Sequence, residues 1–121
     1  MLASVLDVHS AWSWVVVITN GIAGLWALAA HWSPPLRLTA LWWFVGAAEV
    51  AMGLQVVLGV VLVSGQGMSA PEFHLFYGFV ALIAIAILYG YHFQIRAWLY
   101  LLYGFGSLFV MGLGIRAMLL A

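Results

Sequence analysis

Four long apolar stretches constrain the fold of this chain more than any other feature of its sequence. Each supplies the roughly 20 residues that a helix needs to cross a bilayer. None alternates as the strands of a membrane β-barrel do, and lipid is spanned only by helices and closed barrels. The sequence therefore predicts an all-α membrane protein, a four-helix transmembrane bundle in a single domain over residues 1–121. The predicted spans are residues 11–32, 40–63, 73–92 and 97–120.

Composition indicates lipid as the solvent and excludes several functions. Hydrophobic residues make up 68% of the 121 residues and charged residues only 5%, whereas a soluble domain carries about 25% charged residues. The formal net charge is zero, so we expect no nucleic-acid partner. The absence of cysteine from the sequence excludes disulfides, thiol catalysis and Cys-based metal sites. With so little chain outside the lipid and no catalytic constellation, we do not expect a free-standing enzyme.

Prolines and arginines indicate where spans end and which side they face. Pro34 and Pro35 should end the first helix, because proline lacks the backbone donor and restricts the residue before it. Arg37 and Arg96 fall in the two loops on one side, which the positive-inside rule assigns to the cytoplasm. Both termini are then predicted on the non-cytoplasmic side. The opening "MLASVLDVHS" lacks the positive residues of a signal peptide, so we expect no cleavage.

A repeated pattern predicts that the chain is a tandem duplication of a helical hairpin. The stretches "DVHSAWSWVVVI" and "EFHLFYGFVALI" both read acid, any residue, His, two residues, aromatic, small, aromatic. In addition, "MGL" begins fifteen residues after Arg37 and again fifteen residues after Arg96. The two units would cover residues 7–63 and 72–121, related by an axis along the membrane normal, as in parallel-repeat membrane proteins.

The duplication places two histidines on one face of the first helix and two on one face of the third. His9 and His74 are equivalent at one end of the bundle, and His31 and His92 lie at the other. The arrangement is similar to that of diheme cytochromes b, where each heme b iron takes one imidazole from each of two helices. That resemblance implies two hemes with histidine ligands. The alternative is four interfacial histidines, whose amphipathic rings suit the lipid boundary.

A second polar cluster is expected at the end of the bundle that carries the termini. Asp7, Glu72 and Arg116 fall there beside His9 and His74. Two imidazoles and two carboxylates suit a divalent ion such as zinc, iron or manganese, although residues i and i+2 point apart on a helix. The alternative is a salt-bridged cap in which the two acids hold Arg116. The sequence does not identify a metal.

Glu49 lies near the middle of the second span, where an acid is costly and indicates function by default. Burial in lipid favours the neutral acid unless a cation approaches, so Glu49 is a candidate for carrying a proton or binding a cation. Asn20 reaches a similar depth from the first helix. A hydrogen bond between Glu49 and Asn20 would instead join the two helices.

Small residues predict close helix contacts, because they let backbones approach. These residues are Gly21, Gly24, Gly46, Gly53, Gly104, Gly106, Gly112 and Gly114.

The leading functional interpretation is an accessory or structural subunit of a larger membrane complex that handles electrons or protons. Its partners would be the lipid bilayer, other membrane subunits or a second copy of the chain. The alternative is a small diheme b-type cytochrome. The third candidate is a small proton- or cation-coupled transporter that uses Glu49.

Overall fold

Four long helices make up most of the computed structural model, which describes residues 4–65, 67, 69–70 and 73–120. The helices are α1 (Val5–Trp32), α2 (Thr39–Val60), α3 (His74–His92) and α4 (Leu99–Leu119). Helix α2 runs on into a π-helical turn at Val61–Gly65, and single 3-10 turns cover Pro34–Leu36 and Arg96–Trp98. The described residues include no strand. All four helices are long and apolar enough to cross a membrane, which confirms that part of the prediction and suggests a multi-pass membrane protein.

A capping box explains why α1 begins at Val5, earlier than the predicted span. The amide of Asp7 donates to Ser4 Oγ at 3.1 Å, and the amide of Ser4 donates to Asp7 Oδ2 at 3.3 Å. Two amides at the helix start, one at the cap residue and one in the first turn, are thereby satisfied. Asp7 therefore acts as a helix cap in the structure.

Arg37 closes the other end of α1. Its Nε donates to the carbonyl of Ala30 and its Nη2 to the carbonyl of His31, both at 2.7 Å. These carbonyls belong to the last turn, where the helix itself supplies no donor. Helix α1 ends at Trp32, just before the two prolines, as predicted.

The helices are packed unequally around the bundle. Helix α1 packs closely against α4 and α2, and α4 also packs against α3, whereas α2 and α3 touch only lightly. An exact duplication about an axis along the membrane normal would make the α2–α3 contact equivalent to the α1–α4 contact. The bundle is therefore closed on one side and loose at the α2–α3 seam.

Glycines explain why α1 and α4 approach so closely. A Cβ on Gly24 would lie 2.9 Å from the carbonyl oxygen of Gly104, and a Cβ on Gly104 would lie 2.6 Å from Leu28. Gly21 meets the sulfur of Met111 in the same way, at 2.9 Å. Any larger residue would push the two helices apart.

Other glycines from the predicted set do not mark contacts among the described residues. A Cβ on Gly46, Gly53 or Gly112 would meet no described atom within 4 Å. Gly106 does lie at a contact, against Leu88 of α3. Glycine therefore marks close packing where α4 meets α1 and α3, as predicted. It does not do so at Gly46, Gly53 or Gly112.

Side-chain donors tie α1 to α2. Trp12 Nε1 donates to the carbonyl of Ala51 at 2.8 Å, and Asn20 Nδ2 donates to the carbonyl of Ala48 at 3.3 Å. In return, Gln55 Nε2 donates to the carbonyl of His9 at 2.8 Å. Hydrogen bonds between helices fix their rotation, because apolar contacts alone are not directional.

The two ends of the bundle have separate cores. The end that carries His9 and His74 is called the His9 end, and its core is built around Val16, Met52 and Val110. The end that carries the two 3-10 turns is called the Arg37 end, and its core is rich in alanine and aromatic side chains. The outward faces are apolar, with large exposed side chains such as Trp43 and Leu25.

Candidate functional site

A cavity of about 830 Å³ lies among the four helices at the His9 end. Protein sites for small molecules and cofactors occupy about 300–1,000 Å³ and are mostly apolar with a few polar groups. This cavity fits that description. Its polar lining includes His9 and Ser13 from α1, Gln55 from α2, and His74 and Tyr77 from α3.

His9 and His74 meet in the cavity wall. Their ring centroids are 5.8 Å apart and their planes are inclined by 76°. His9 lies in the second turn of α1, and His74 is the first residue of α3. The structure thus brings together the two histidines that the repeated sequence pattern pairs.

The His74 ring is oriented by a backbone carbonyl of α4. Its Nδ1 lies 2.7 Å from the oxygen of Ala117. A carbonyl only accepts, so Nδ1 carries the proton and Nε2 is the nitrogen with which His74 can bind a ligand. Histidines that bind metals are usually held by this kind of bond from the other ring nitrogen.

Helix α2 positions His9 from the opposite side. Gln55 holds the His9 backbone carbonyl, and a Cβ on Gly59 would lie 3.4 Å from His9 Cε1. His9 Nδ1 and Gln55 Oε1 are both buried with no hydrogen-bond partner in the described part of the chain. A buried polar atom without a partner typically costs about 1–3 kcal/mol, so these two neighbouring atoms have hydrogen-bonding capacity left for a polar ligand.

The two histidines at the Arg37 end lie in aromatic surroundings. His31 stacks on Trp98 with centroids 6.0 Å apart and planes 24° apart, and it also meets Trp32 edge-on. His92 packs against Trp42, and its Nδ1 lies 3.0 Å from the hydroxyl of Tyr103. Neither histidine lines the cavity described above, and each packs against aromatic rings.

Of the predicted outer cluster of Asp7, Glu72 and Arg116, the structure describes Asp7 and Arg116. Asp7 is engaged with Ser4 in the capping box, and Glu72 lies outside the described residues. The guanidinium of Arg116 lies 5.8 Å from the centroid of Tyr77, a cavity residue. Among the described residues, no group of three or more His, Asp and Glu side chains is placed to hold a metal ion.

Among the described residues, no hydrogen bond joins Glu49 to Asn20, so the predicted pair is not formed by one. Asn20 is fully buried, and its Nδ2 donates to the carbonyls of Val16 and Ala48 at 2.9 and 3.3 Å. Glu49 Oε1 is buried with no partner among the described residues. Asn20 joins α1 to α2 through the backbone, and the role of Glu49 stays a prediction.

Sequence reasoning missed Gln55 and Tyr103. Gln55 is an amide in a mostly apolar span, a visible signal because such residues usually face a partner or a cavity. Tyr103 was harder to recognise as a site residue, because aromatic residues near the end of a predicted span are expected in the interfacial belt. Its buried hydroxyl contact with His92 depends on the rotation of α4.

Comparison with known proteins gives no assignment: no protein-family model, no curated protein and no solved structure matches the chain.

Proposed function

We propose that the protein is a membrane cytochrome that binds one heme b between His9 and His74. The observation that carries the proposal is the pair of facing imidazoles in the wall of a cavity of cofactor size. Histidine is an established axial ligand of heme iron.

The two rings lie close enough together to be ligands of one metal centre. Their centroids are 5.8 Å apart, and a metal–imidazole bond is about 2 Å long. His9 and His74 are therefore the residues that would hold the group.

The described donor set suits a porphyrin. Among the described residues, no third His, Asp or Glu is placed to join His9 and His74 on a metal ion, and Asp7 of the same cavity is engaged in the capping box of α1. A porphyrin would bring nitrogen ligands of its own, so two histidines would suffice as protein ligands. Arg116, beside Tyr77, lies at the same end and would meet the carboxylates of the group.

Two histidine ligands define the kind of chemistry. With both histidines bound to its iron, the group would supply one-electron transfer and would not bind oxygen or substrate at the metal. The chain itself would contribute His9 and His74 as ligands, the orientation of His74 by the Ala117 carbonyl and the mostly apolar cavity wall.

A second heme at the Arg37 end is not favoured. The Nδ1 of His92 is hydrogen-bonded to Tyr103, and its ring is packed against Trp42. His31 stacks on Trp98. We propose that these two histidines are structural, so the cytochrome carries one heme rather than two.

We further propose that this cytochrome serves as a subunit of a larger membrane complex. Four apolar helices with apolar outward faces support placement in lipid, with both termini on the non-cytoplasmic side given Arg37 and Arg96. The loops are short and leave little room for a substrate site, so the electron partners would be other membrane subunits or a second copy. The repeated sequence pattern supports an origin by duplication of a helical hairpin.

A transporter is the weaker candidate. Glu49, the residue that suggested it, is not among the residues that line the cavity.

The visible spectrum of the protein purified from membranes tests the proposal. We expect a Soret band, sharp reduced-minus-oxidised peaks of a b-type cytochrome, and one heme per chain in a pyridine hemochrome assay. Protein that stays colourless after purification, and also after reconstitution with hemin, would contradict it. Retention in the membrane pellet after an alkaline wash checks the placement in lipid.

A further inference from the structure

The side chain of Gln55 in α2 reaches across to the backbone of His9 in α1. Its Nε2 donates to the His9 carbonyl at 2.8 Å, and both residues line the cavity. This bond fixes the direction of the Gln55 amide. Because Nε2 and Oε1 are bonded to the same carbon, the side-chain oxygen of Gln55 is held near His9 as well.

The imidazole of His9 lies against the same face of α2. Gly59 follows Gln55 by four residues, about one helical turn, and a Cβ on Gly59 would lie 3.4 Å from Cε1 of the His9 ring. Cε1 is bonded to Nδ1, so that nitrogen also lies at the α2 wall, where the Gln55 side chain is its neighbour.

Two buried polar atoms at this wall can satisfy each other. His9 Nδ1 and Gln55 Oε1 are both buried without a partner among the described residues. An amide oxygen only accepts hydrogen bonds, so Nδ1 can pair with it only when it carries a proton. Leaving both atoms unpaired is costly, whereas a bond between them, direct or through one water, removes both deficits.

We propose that Gln55 is the positioning residue of His9: its Oε1 accepts a hydrogen bond from His9 Nδ1–H and leaves Nε2 as the nitrogen that binds iron. The hydrogen bond at one ring nitrogen determines which nitrogen is free to bind a metal. The Ala117 carbonyl does the same for His74 at 2.7 Å. The two ligands thus present the same nitrogen, one positioned by the backbone of α4 and the other by a side chain of α2.

The consequence for heme rests on the proposed function, whereas the protonated nitrogen of His9 does not depend on heme. A partner that accepts from the second ring nitrogen raises the basicity of a ligating imidazole, and its loss typically lowers metal affinity about 10–100-fold. We expect Gln55→Leu to weaken heme binding at least about tenfold. The reduction potential should rise, because a less basic ligand stabilises ferric iron less.

Nitrogen-15 NMR of the heme-free, full-length protein in detergent shows which ring nitrogen carries the proton, because protonated and unprotonated nitrogens differ in chemical shift. Spectra are recorded at about pH 8, above the ordinary pKa of histidine. The His9 signals are assigned by their loss in His9→Gln, and His74 serves as the internal reference. We expect the proton on Nδ1 of both rings in the wild type. In Gln55→Leu it should move to Nε2 of His9 and stay in place in His74.

Two further variants separate the hydrogen bond from a general effect on packing. Gln55→Glu keeps an oxygen toward the ring and should keep the proton on Nδ1. Ser13 lies one turn after His9, lines the cavity and donates to the Ser10 carbonyl, so Ser13→Ala should also leave the His9 signals unchanged. If Gln55→Leu fails to fold, Gln55→Met takes its place, since methionine keeps the length of the side chain without the amide.

A wild-type His9 with its proton on Nε2, or a proton that stays on Nδ1 when the amide is removed, would overturn the proposal. Heme titration separates this result from the proposed function. Equal heme affinity and equal potential in wild type and Gln55→Leu would overturn the role of Gln55 and leave the cytochrome standing. Wild-type protein that binds no heme would contradict the cytochrome alone, because the signals of heme-free protein decide whether Gln55 positions His9.

Discussion

The His9 end and the Arg37 end of the bundle each hold two histidines, yet the structure treats them differently. At the His9 end, the imidazoles face each other across the wall of a cavity, and two buried polar atoms nearby have no partner in the described chain. At the Arg37 end, His92 bonds to Tyr103 and His31 stacks on Trp98. The first end leaves a cavity beside its histidines, whereas the histidines of the second are packed among aromatic side chains.

The comparison teaches that histidine spacing does not by itself define a ligand site. Both ends satisfy the same helical spacing along α1 and α3, and they differ in what surrounds the rings. Small residues such as Gly59 and Gly78 line the cavity, while Trp42, Tyr100 and Tyr103 pack together at the other end. Side-chain volume at each level of the bundle thus separates a histidine pair beside a cavity from a pair packed among aromatic rings.

The largest expected effect separates the two histidine pairs. His9→Ala or His74→Ala should abolish heme binding, because each removes one of two axial ligands. The matched changes His31→Ala and His92→Ala should leave the Soret absorbance per chain unchanged. Heme content after purification, measured on all four variants at equal amounts of folded protein, checks this prediction. Loss of heme in the His31 or His92 variant would contradict the proposed difference between the two ends.

The next largest effect concerns the packed aromatic cluster. Trp42→Ala should lower the free energy of unfolding by about 2–3 kcal/mol, because it leaves a hole among Tyr100, Tyr103 and His92 that the neighbours fill only in part. The adjacent Trp43 is 78% exposed, so Trp43→Ala should stay within about 0.5 kcal/mol of wild type. Unfolding in mixed detergent micelles gives both free energies. Equal losses of stability in the two variants would contradict a rotation of α2 that turns Trp42 inward and Trp43 outward.

Two small residues sharpen the contrast in packing. Ala27, in the core of the Arg37 end, is 0% exposed. Gly78 lines the cavity, and a Cβ on it would meet no described atom within 4 Å. Ala27→Leu should cost about 1–3 kcal/mol through overpacking. Gly78→Leu should cost less than about 1 kcal/mol in heme-free protein, because the cavity can take the added atoms.

Heme titration of the Gly78→Leu protein completes that comparison. The leucine occupies space that heme would need, so heme occupancy should fall although the fold is kept. Equal destabilisation by the Ala27 and Gly78 variants would show that the His9 end is as tightly packed as the Arg37 end.

The smallest expected effect is at Gln55. Gln55→Leu removes the bond to the His9 carbonyl and should change the free energy of unfolding by about 1 kcal/mol or less, since the buried Oε1 without a partner disappears with it. Gln94 is exposed at the Arg37 end, and Gln94→Leu should leave the free energy of unfolding unchanged. A loss well above 1 kcal/mol in Gln55→Leu would mean that this amide holds α1 and α2 together.

Much of the fold could be predicted from the sequence, because helix length and the ends of apolar runs are local properties. The four apolar helices and the end of α1 before Pro34 follow directly. The start of α1 at Val5 was missed, since it depends on a capping box between Ser4 and Asp7 that extends the helix beyond its apolar run. Close packing at Gly24 and Gly104 was expected; the open faces at Gly46 and Gly53 were not.

Less of the candidate site was predictable, since it depends on how the helices rotate and pack. The repeated pattern indicates that His9 and His74 belong together, and they are neighbours in the structure. The bond from His74 to Ala117 and the cavity itself involve residues far apart in the chain. No local pattern carries that information.

Electron paramagnetic resonance of the oxidised protein tests the central claim most directly. Two imidazoles on one ferric iron give a low-spin signal, and planes held near the observed 76° make it strongly anisotropic. We predict one such signal, integrating to one heme per chain and lost in His74→Ala. A high-spin signal, two low-spin hemes per chain, or a spectrum without heme would contradict a single heme held between His9 and His74.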